Sequence, residues 1–353
     1  MICFEIFCFE IYSFRARFDA ERFRAIPSDS ERRLVPHTAA RDPTMLARAP
    51  AAPIARARPP APRARASVAR AAPSDASAVV ASRRVALALP LALAALDRST
   101  ARAADAPRVL VVGATGQTGA LVVRELSRAG RARAIVAGAR SAAKATKLGL
   151  DALPGVEILD GVDVTRGVDA LALAFEGFDV VVVATGFVPG NPLKMNAAAR
   201  AVDNEGVCAV ADAAKRANVK RVVLISSILT NGPGFGAQDT AGYKITNAFG
   251  RVLEEKLVGE NHLRASGVPW TIVRPAGLKT DAPKNPLVVT GEDVMTSGEI
   301  SRELVARVMV EAAFDARAEG KVYEIAESGS FVGGDPAGAK TFALDSDPAS
   351  WFA

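Results

Sequence analysis

Three glycines, Gly113, Gly116 and Gly119, follow an apolar run at 109–112 and precede an amphipathic pattern carrying Leu121, Val122 and Leu126. That spacing suits the holding of a pyrophosphate. Gly113 permits a sharp turn, Gly116 lets bare backbone approach the phosphates, and Gly119 lets the helix lie close to the strand. Thr115, Gln117 and Thr118 fill the turn between them, and the free N–H groups opening the helix face the anion with the helix dipole behind them. A strand before and a helix after are what turn a glycine triplet into a dinucleotide signal.

The choice of dinucleotide is set further along. An NAD site places Asp or Glu about twenty residues on, against the ribose hydroxyl, whereas an NADP site uses Arg near the 2′-phosphate. No acid occurs between Leu126 and Asp151, and Arg140 ends the second apolar run, with Ser141 and Lys144 after it. A guanidinium grips phosphate bidentately and Lys144 adds a point charge. The expected cofactor is NADP, with Arg140 on its phosphate. Metal chemistry is not expected. Cys208 stands alone once Cys3 and Cys8 are set aside, and His37 and His262 are far apart; this is no ligand set.

The elements that position these residues alternate. Strand-like runs at 134–137, 156–159, 180–184, 221–226 and 270–273 are separated by helical patterns, notably 196–217 and 245–266. Continuous apolar strands imply burial on both faces, hence a parallel sheet wrapped by helices. The fold class is α/β, a doubly wound parallel sheet, with a disordered targeting leader in front. The boundaries are 1–106 for the leader and 107–327 for the domain. A Gly- and Pro-rich tail at 328–353 is expected to be loosely ordered.

The leader explains the basic pI. Residues 1–107 hold 17 arginines against 10 acids, a net of +7, and residues 108–353 hold 27 basic against 28 acidic residues, a net of −1. With no basic face left, a nucleic-acid partner is not expected. Translation is expected to begin at Met45, after which an Ala-, Arg- and Pro-rich stretch fits an organelle transit peptide. Arg83-Arg84 then precede an apolar run at 85–96, and small residues follow at 101–106. Twelve residues span ~18 Å, short of a ~30 Å hydrocarbon core, so the run is read as a twin-arginine export signal and not a membrane span. The expected address is the chloroplast, in the thylakoid lumen, with the stroma as the alternative and the mature chain starting between Ala101 and Pro107.

The motifs VVGATGQTG, GVDV, VVVATG, VDNEG, RVVLISSI and SGVPWTIVRPAGL occur in that order between residues 111 and 278. Together they resemble the atypical short-chain dehydrogenase/reductases with an NmrA-like NAD(P)-binding domain. The stretch GEISRELVARVMVEA resembles plant and algal plastid members. The resemblance implies a doubly wound parallel Rossmann sheet of seven strands with a small C-terminal substrate lobe. It places Asp163 and Val164 by the adenine and Ala184, Thr185 and Gly186 along the cofactor. It sets Ser226 and Ser227 beside the nicotinamide and closes Pro275 to Gly277 over it.

One departure bears on chemistry. Carbonyl-reducing members carry Tyr-x-x-x-Lys on the long helix, and here Lys256 aligns with the lysine while Val252 falls on the tyrosine. Lys256 can hold the ribose hydroxyls, and Tyr243 or Ser226 remain as proton donors. The catalytic candidates are therefore Ser226, Tyr243 and Lys256, with Tyr243 also readable as an aromatic packed on the lobe. Two functions follow. The first is an NADP-dependent oxidoreductase acting on a small carbonyl, quinone or conjugated-ring substrate; the second is a non-catalytic NADP(H)-sensing protein assembling with thylakoid partners.

Overall fold

The computed structural model describes residues 106–353. Met45, the transit stretch, Arg83-Arg84 and the expected processing site before Ala106 lie outside the described residues. The first strand, β1 (Arg108–Val112), is followed by α1 (Gln117–Ala129), β2 (Ala134–Ala139), α2 (Ala142–Lys147) and β3 (Val156–Asp160). After α3 (Val168–Phe175) come β4 (Val180–Val183), α4 (Met195–Ala199), α5 (Gly206–Arg216) and β5 (Arg221–Ile225). The rest runs α6 (Ala241–Asn247), α7 (Val252–Ala265), β6 (Trp270–Pro275), β7 (Gly277–Lys279), β8 (Leu287–Thr290), β9 (Glu299–Ser301), α8 (Arg302–Phe314), β10 (Lys321–Glu327) and β11 (Lys340–Phe342).

The main sheet has the order β11-β8-β10-β6-β5-β4-β1-β2-β3. From β3 to β10 every pairing is parallel, which yields the seven expected strands. Strands β8 and β11 extend that edge in antiparallel fashion, so the sheet is wider than expected. Alternation along β1 shows how both faces are filled. Val109 and Val111 pack with Val122 and Leu126 of α1 and Leu304 and Met309 of α8. Leu110 and Val112 pack instead with Leu171 and Phe175 of α3 and Val210 of α5. Successive side chains on a strand point to opposite faces, so an unbroken apolar run serves two helix layers.

A third apolar cluster joins Ile228, Leu229, Tyr243, Leu253 and Met295 with Val288 of β8 and Ala326 of β10. This is the C-terminal lobe, to which the two-stranded parallel sheet of β7 and β9 belongs.

Three expectations are corrected. The helix expected at 196–217 is interrupted by a π-helical turn, Arg200–Glu205, between α4 and α5. The helix expected at 245–266 is two helices. Gly250 (φ +92°) and Arg251 (φ +55°) take left-handed conformations between them, and the Asn247 side chain accepts from Leu253 N–H at 2.9 Å to start the second. Periodicity could not show this break, because the reason is tertiary. A Cβ on Gly250 would stand 2.8 Å from the Met195 carbonyl oxygen, so the chain turns where α4 passes. The tail after Ser328 is ordered: it contributes β11, and Trp351 and Phe352 are buried. The Phe352 ring lies 4.6 Å from that of Tyr323, and the Arg307 guanidinium covers Trp351. Two aromatic residues and a three-residue strand are enough to hold it, against a Gly- and Pro-rich composition.

Candidate functional site

The carboxyl ends of β1, β4, β5 and β6 lie side by side, since Val112 pairs with Val183, Val183 with Leu224, and Ile225 with Val273. The order reverses between β1 and β4, and the crevice outside such a switch point is where a doubly wound sheet takes its ligand. Gly113, Ala184, Ser226 and Pro275 stand at or just beyond these four strand ends. Arg140 follows β2, and Asp163 and Val164 follow β3.

The glycine turn has the geometry a dinucleotide requires. Gly113 sits at φ +81°, and a Cβ there would meet the Ala184 carbonyl oxygen and Thr185 Cγ2 at 2.9 Å. Gly119 is tighter still: a Cβ would stand 2.2 Å from the Gly113 carbonyl oxygen. The helix can lie against the strand only because position 119 has no side chain. Gly116 bonds back to Gly113 through its N–H at 2.9 Å and caps α1 without any side-chain bond. The first turn of α1 carries no acid, so its amides are left for an anion. Gly116 and Gln117 are exposed, Thr115 is half-buried and Thr118 is buried. Beside the turn, Thr185 Oγ1 is buried with no hydrogen-bond partner among the described residues. An unpartnered buried hydroxyl is costly unless a ligand satisfies it. The residues present therefore fit a bound dinucleotide.

Arg140 is exposed and makes no ion pair among the described residues. Asp163 accepts from the Thr165 amide and hydroxyl, capping a short helical turn. Val164 is buried against Gly206, where a Cβ would stand 2.7 Å from Val164 Cγ2.

Lys256 projects from α7 and donates to Asp203 Oδ1 at 2.8 Å, and Asp203 Oδ2 accepts from the Phe187 amide at 3.0 Å. Both atoms face Gly186, whose added Cβ would stand 3.8 Å from Lys256 Nζ and from Asp203 Oδ1. The π turn is what delivers Asp203 here, as such turns often do at functional sites. Asp203 lay within the VDNEG motif without an assigned role; its burial beside a lysine is visible only in three dimensions.

Ser226, buried at the end of β5, donates to Glu260 Oε1 at 2.5 Å. Arg274 holds the same carboxylate through Nε at 3.1 Å and Nη2 at 2.7 Å. Arg274, Glu260 and Glu324 are all 0% exposed. Burial works against the Arg274 charge, yet the bonds from Glu260 and Asp293 outweigh it and raise the guanidinium pKa further. Burial likewise raises the Glu324 carboxyl, which accepts from the amides of Val294 and Met295 at 3.0 and 2.7 Å. Neither Arg274 nor Glu324 was legible as a partner from spacing, because the pair is 50 residues apart.

Tyr243 lies in the lobe cluster, its ring packed on Gly232. Burial, then the charge of Glu254, pushes its phenol above the ordinary range. Val252 packs against the same cluster, so the position where a helical tyrosine would stand is apolar. Burial also raises the Cys208 thiol.

A glycine-turn crevice with a half-buried lysine paired to a buried aspartate at its side defines a Rossmann-fold dinucleotide-binding protein. The chain belongs to the NAD(P)H-binding family, which it matches over residues 113–316, and its domain is the NmrA-like one that the motifs resemble. It is 40% identical over 222 residues to an uncharacterized chloroplastic protein of Arabidopsis thaliana, covering 62% of this chain and 76% of that protein. It is 33% identical over 217 residues to the chloroplastic protein TIC 62 of Pisum sativum, covering 57% of this chain but only 39% of that protein. Among solved structures, the oxidoreductase ylbE of Lactococcus lactis superposes with a TM-score of 0.53 at 22% identity, covering 64% of this chain and 92% of that one. Among the described residues no helix is long and apolar enough to cross a membrane.

Proposed function

We propose that this protein is an NADP-dependent oxidoreductase of the plastid that passes hydride to a quinone or conjugated-ring substrate. The observation that carries the cofactor reading is the glycine turn with the unpartnered Thr185 hydroxyl beside it, and the choice of substrate class rests on Val252, an apolar residue of the lobe cluster standing four residues before Lys256. A nicotinamide cofactor supplies the hydride when bound. Lys256, oriented by Asp203, holds the ribose hydroxyls. The α1 amides and Thr185 hold the phosphates, and Arg140, with no ion-pair partner among the described residues, takes the 2′-phosphate. A protein acid contributes about 10²–10⁴-fold to carbonyl reduction. A site without its tyrosine is therefore slow on simple ketones, while quinones and conjugated rings draw their proton later from solvent. Tyr243 remains the alternative donor, and its packing in the lobe speaks against that role.

The plastid address rests on the relatives' chloroplastic names and on the leader. Sequencing the N-terminus of protein from isolated thylakoids decides between lumen and stroma. A start between Ala101 and Pro107 fits the lumen, and one near Ala71, with Arg83 and Arg84 retained, fits the stroma. A second reading, a cofactor-sensing assembly protein, is favoured by Val252 together with the likeness to TIC 62.

Cofactor choice is tested by calorimetry. Arg140→Ala should weaken NADPH binding by about 1.5–3 kcal/mol, the worth of a charge-assisted hydrogen bond, and leave NADH unchanged. Wild type binding NADH as tightly as NADPH would overturn it. Oxidation of NADPH by plastid quinones marks the enzyme, and its absence with quinones, conjugated rings and simple carbonyls alike marks the sensor.

A further inference from the structure

The hydroxyl of Ser226 has one proton and two lone pairs. Its proton is committed. Glu260 Oε1 lies 2.5 Å away, and Glu260 is fully buried with Arg274 on both of its oxygens and Arg264 Nη2 at 3.2 Å from Oε2. A guanidinium never gives up its protons in a protein, so each of these groups can only donate. Facing them, Glu260 is a carboxylate that only accepts, and the Ser226 proton turns toward it. Thr230 Oγ1, at 3.4 Å, adds a further donor on the same oxygen. Among the described residues nothing else bonds Ser226 Oγ, so its lone pairs are left to accept.

We propose that Glu260 positions Ser226 as a hydrogen-bond acceptor toward the substrate, and that, of the two substrate classes proposed above, the site favours a conjugated ring presenting an N–H or O–H donor there over a quinone, which presents only carbonyl oxygens. This rests on the reading that Ser226 borders the reacting ring. It adds a specificity rule to it: a carbonyl oxygen gains nothing from Ser226, and a ring N–H or a phenolic O–H does.

The test uses the full chain loaded with NADP⁺ and two probes of nearly equal shape, naphthol and its methyl ether, titrated calorimetrically. Naphthol can donate and the ether can only accept. Wild type should bind naphthol about three- to tenfold more tightly, the worth of one net hydrogen bond. Ser226→Ala, which leaves the Arg274–Glu260 pair untouched, should bring the two probes to parity. Glu260→Gln should reduce or invert the preference. Two arginine donors face Oε2, so the glutamine oxygen stays there and its NH₂ turns to Ser226, reversing the serine. A merely structural Glu260 would weaken both probes alike and leave their ratio unchanged. Parity in wild type, or a preference surviving Ser226→Ala, overturns the proposal. Should Glu260→Gln fail to fold, wild type and Ser226→Ala decide alone. Naphthoquinone reduction in the same preparations separates the two readings. Turnover with probe parity rejects the role of Glu260 alone, whereas no NADPH binding rejects the oxidoreductase reading and this inference with it.

Discussion

The first four strands and the strands from β6 to β10 are held together by different physics. Between Arg108 and Val183, Thr118 is the only buried polar residue among those described, and the rest of that interior is aliphatic side chains, alanine, phenylalanine and bare glycine. From Ser226 to Glu327 the interior holds Glu260, Arg274, Glu324 and Glu327, none of them exposed. The first half is set by shape, since Gly119 and Gly113 decide how near α1 comes to β1. The second is set by pairing: Arg274 ties α7 to the 292–293 loop and to β10, and Glu327 ties β10 to Lys279 and to the Ser301 amide. Apolar burial is non-directional and tolerates motion along the surface, whereas a buried charge fixes one partner in one place. The C-terminal segments are thus pinned to the sheet by directional bonds.

The sharpest break in this comparison is Arg274→Met. It leaves Glu260 and Glu324 buried without their shared cation, a loss of about 3–5 kcal/mol for a buried pair broken on one side. Urea denaturation of the full chain reads it. Replacing Glu260 by Leu as well should recover part of the stability, and a single mutant as stable as wild type would show that the charges are not what pins the lobe.

Gly119→Ala comes next and probes the other half. A Cβ 2.2 Å from a backbone oxygen cannot be absorbed by a side-chain movement, so α1 must shift. Overpacking costs about 1–3 kcal/mol, and the shift should weaken NADPH binding more than stability. Gly130→Ala is the contrast, since nothing lies within 4 Å of its added Cβ. Its positive φ makes the change strained, but dinucleotide binding should persist.

The smallest effect is in pH dependence, and the two halves of one strand should differ in sign. Burial raises the Glu327 carboxyl, but the Lys279 bond and the Ser301 and Lys284 amides outweigh it and leave the pKa lowered. A carboxyl lowered on folding adds stability above its unfolded pKa and loses it as pH falls through the folded value. Glu324 is raised, so its charged form costs stability at neutral pH and that cost fades as pH falls toward its unfolded pKa. Glu327→Gln should flatten the acid limb of a thermal-stability profile, and Glu324→Gln should steepen it. Identical profiles for the two variants would remove the distinction.

The same contrast governs what could be read from sequence. Gly113, Gly119 and the runs of β1, β2 and β4 were legible because turn geometry and strand burial leave local, periodic marks. Lys256 was singled out only by the resemblance, as the residue aligned with the family's helical lysine. Asp203, Arg274 and Glu324 were not, because the worth of a buried charge depends on residues far away in the chain. The break at Gly250 was hidden for the same reason: α4, fifty residues earlier, imposes it. Strand β11 has three residues, too few for a periodicity, and only Trp351 and Phe352 hint that the tail returns to the sheet.

The proposed hydride transfer needs no helical tyrosine. Stopped-flow oxidation of NADPH by the full chain, with naphthoquinone and with a simple ketone, in wild type and Tyr243→Phe, reads this. The expected outcome is reduction of the quinone, a ketone rate at least ~10²-fold lower, and quinone activity that survives Tyr243→Phe largely intact. A fast ketone reductase silenced by Tyr243→Phe would contradict it, and would make the lobe tyrosine the acid that Val252 is not.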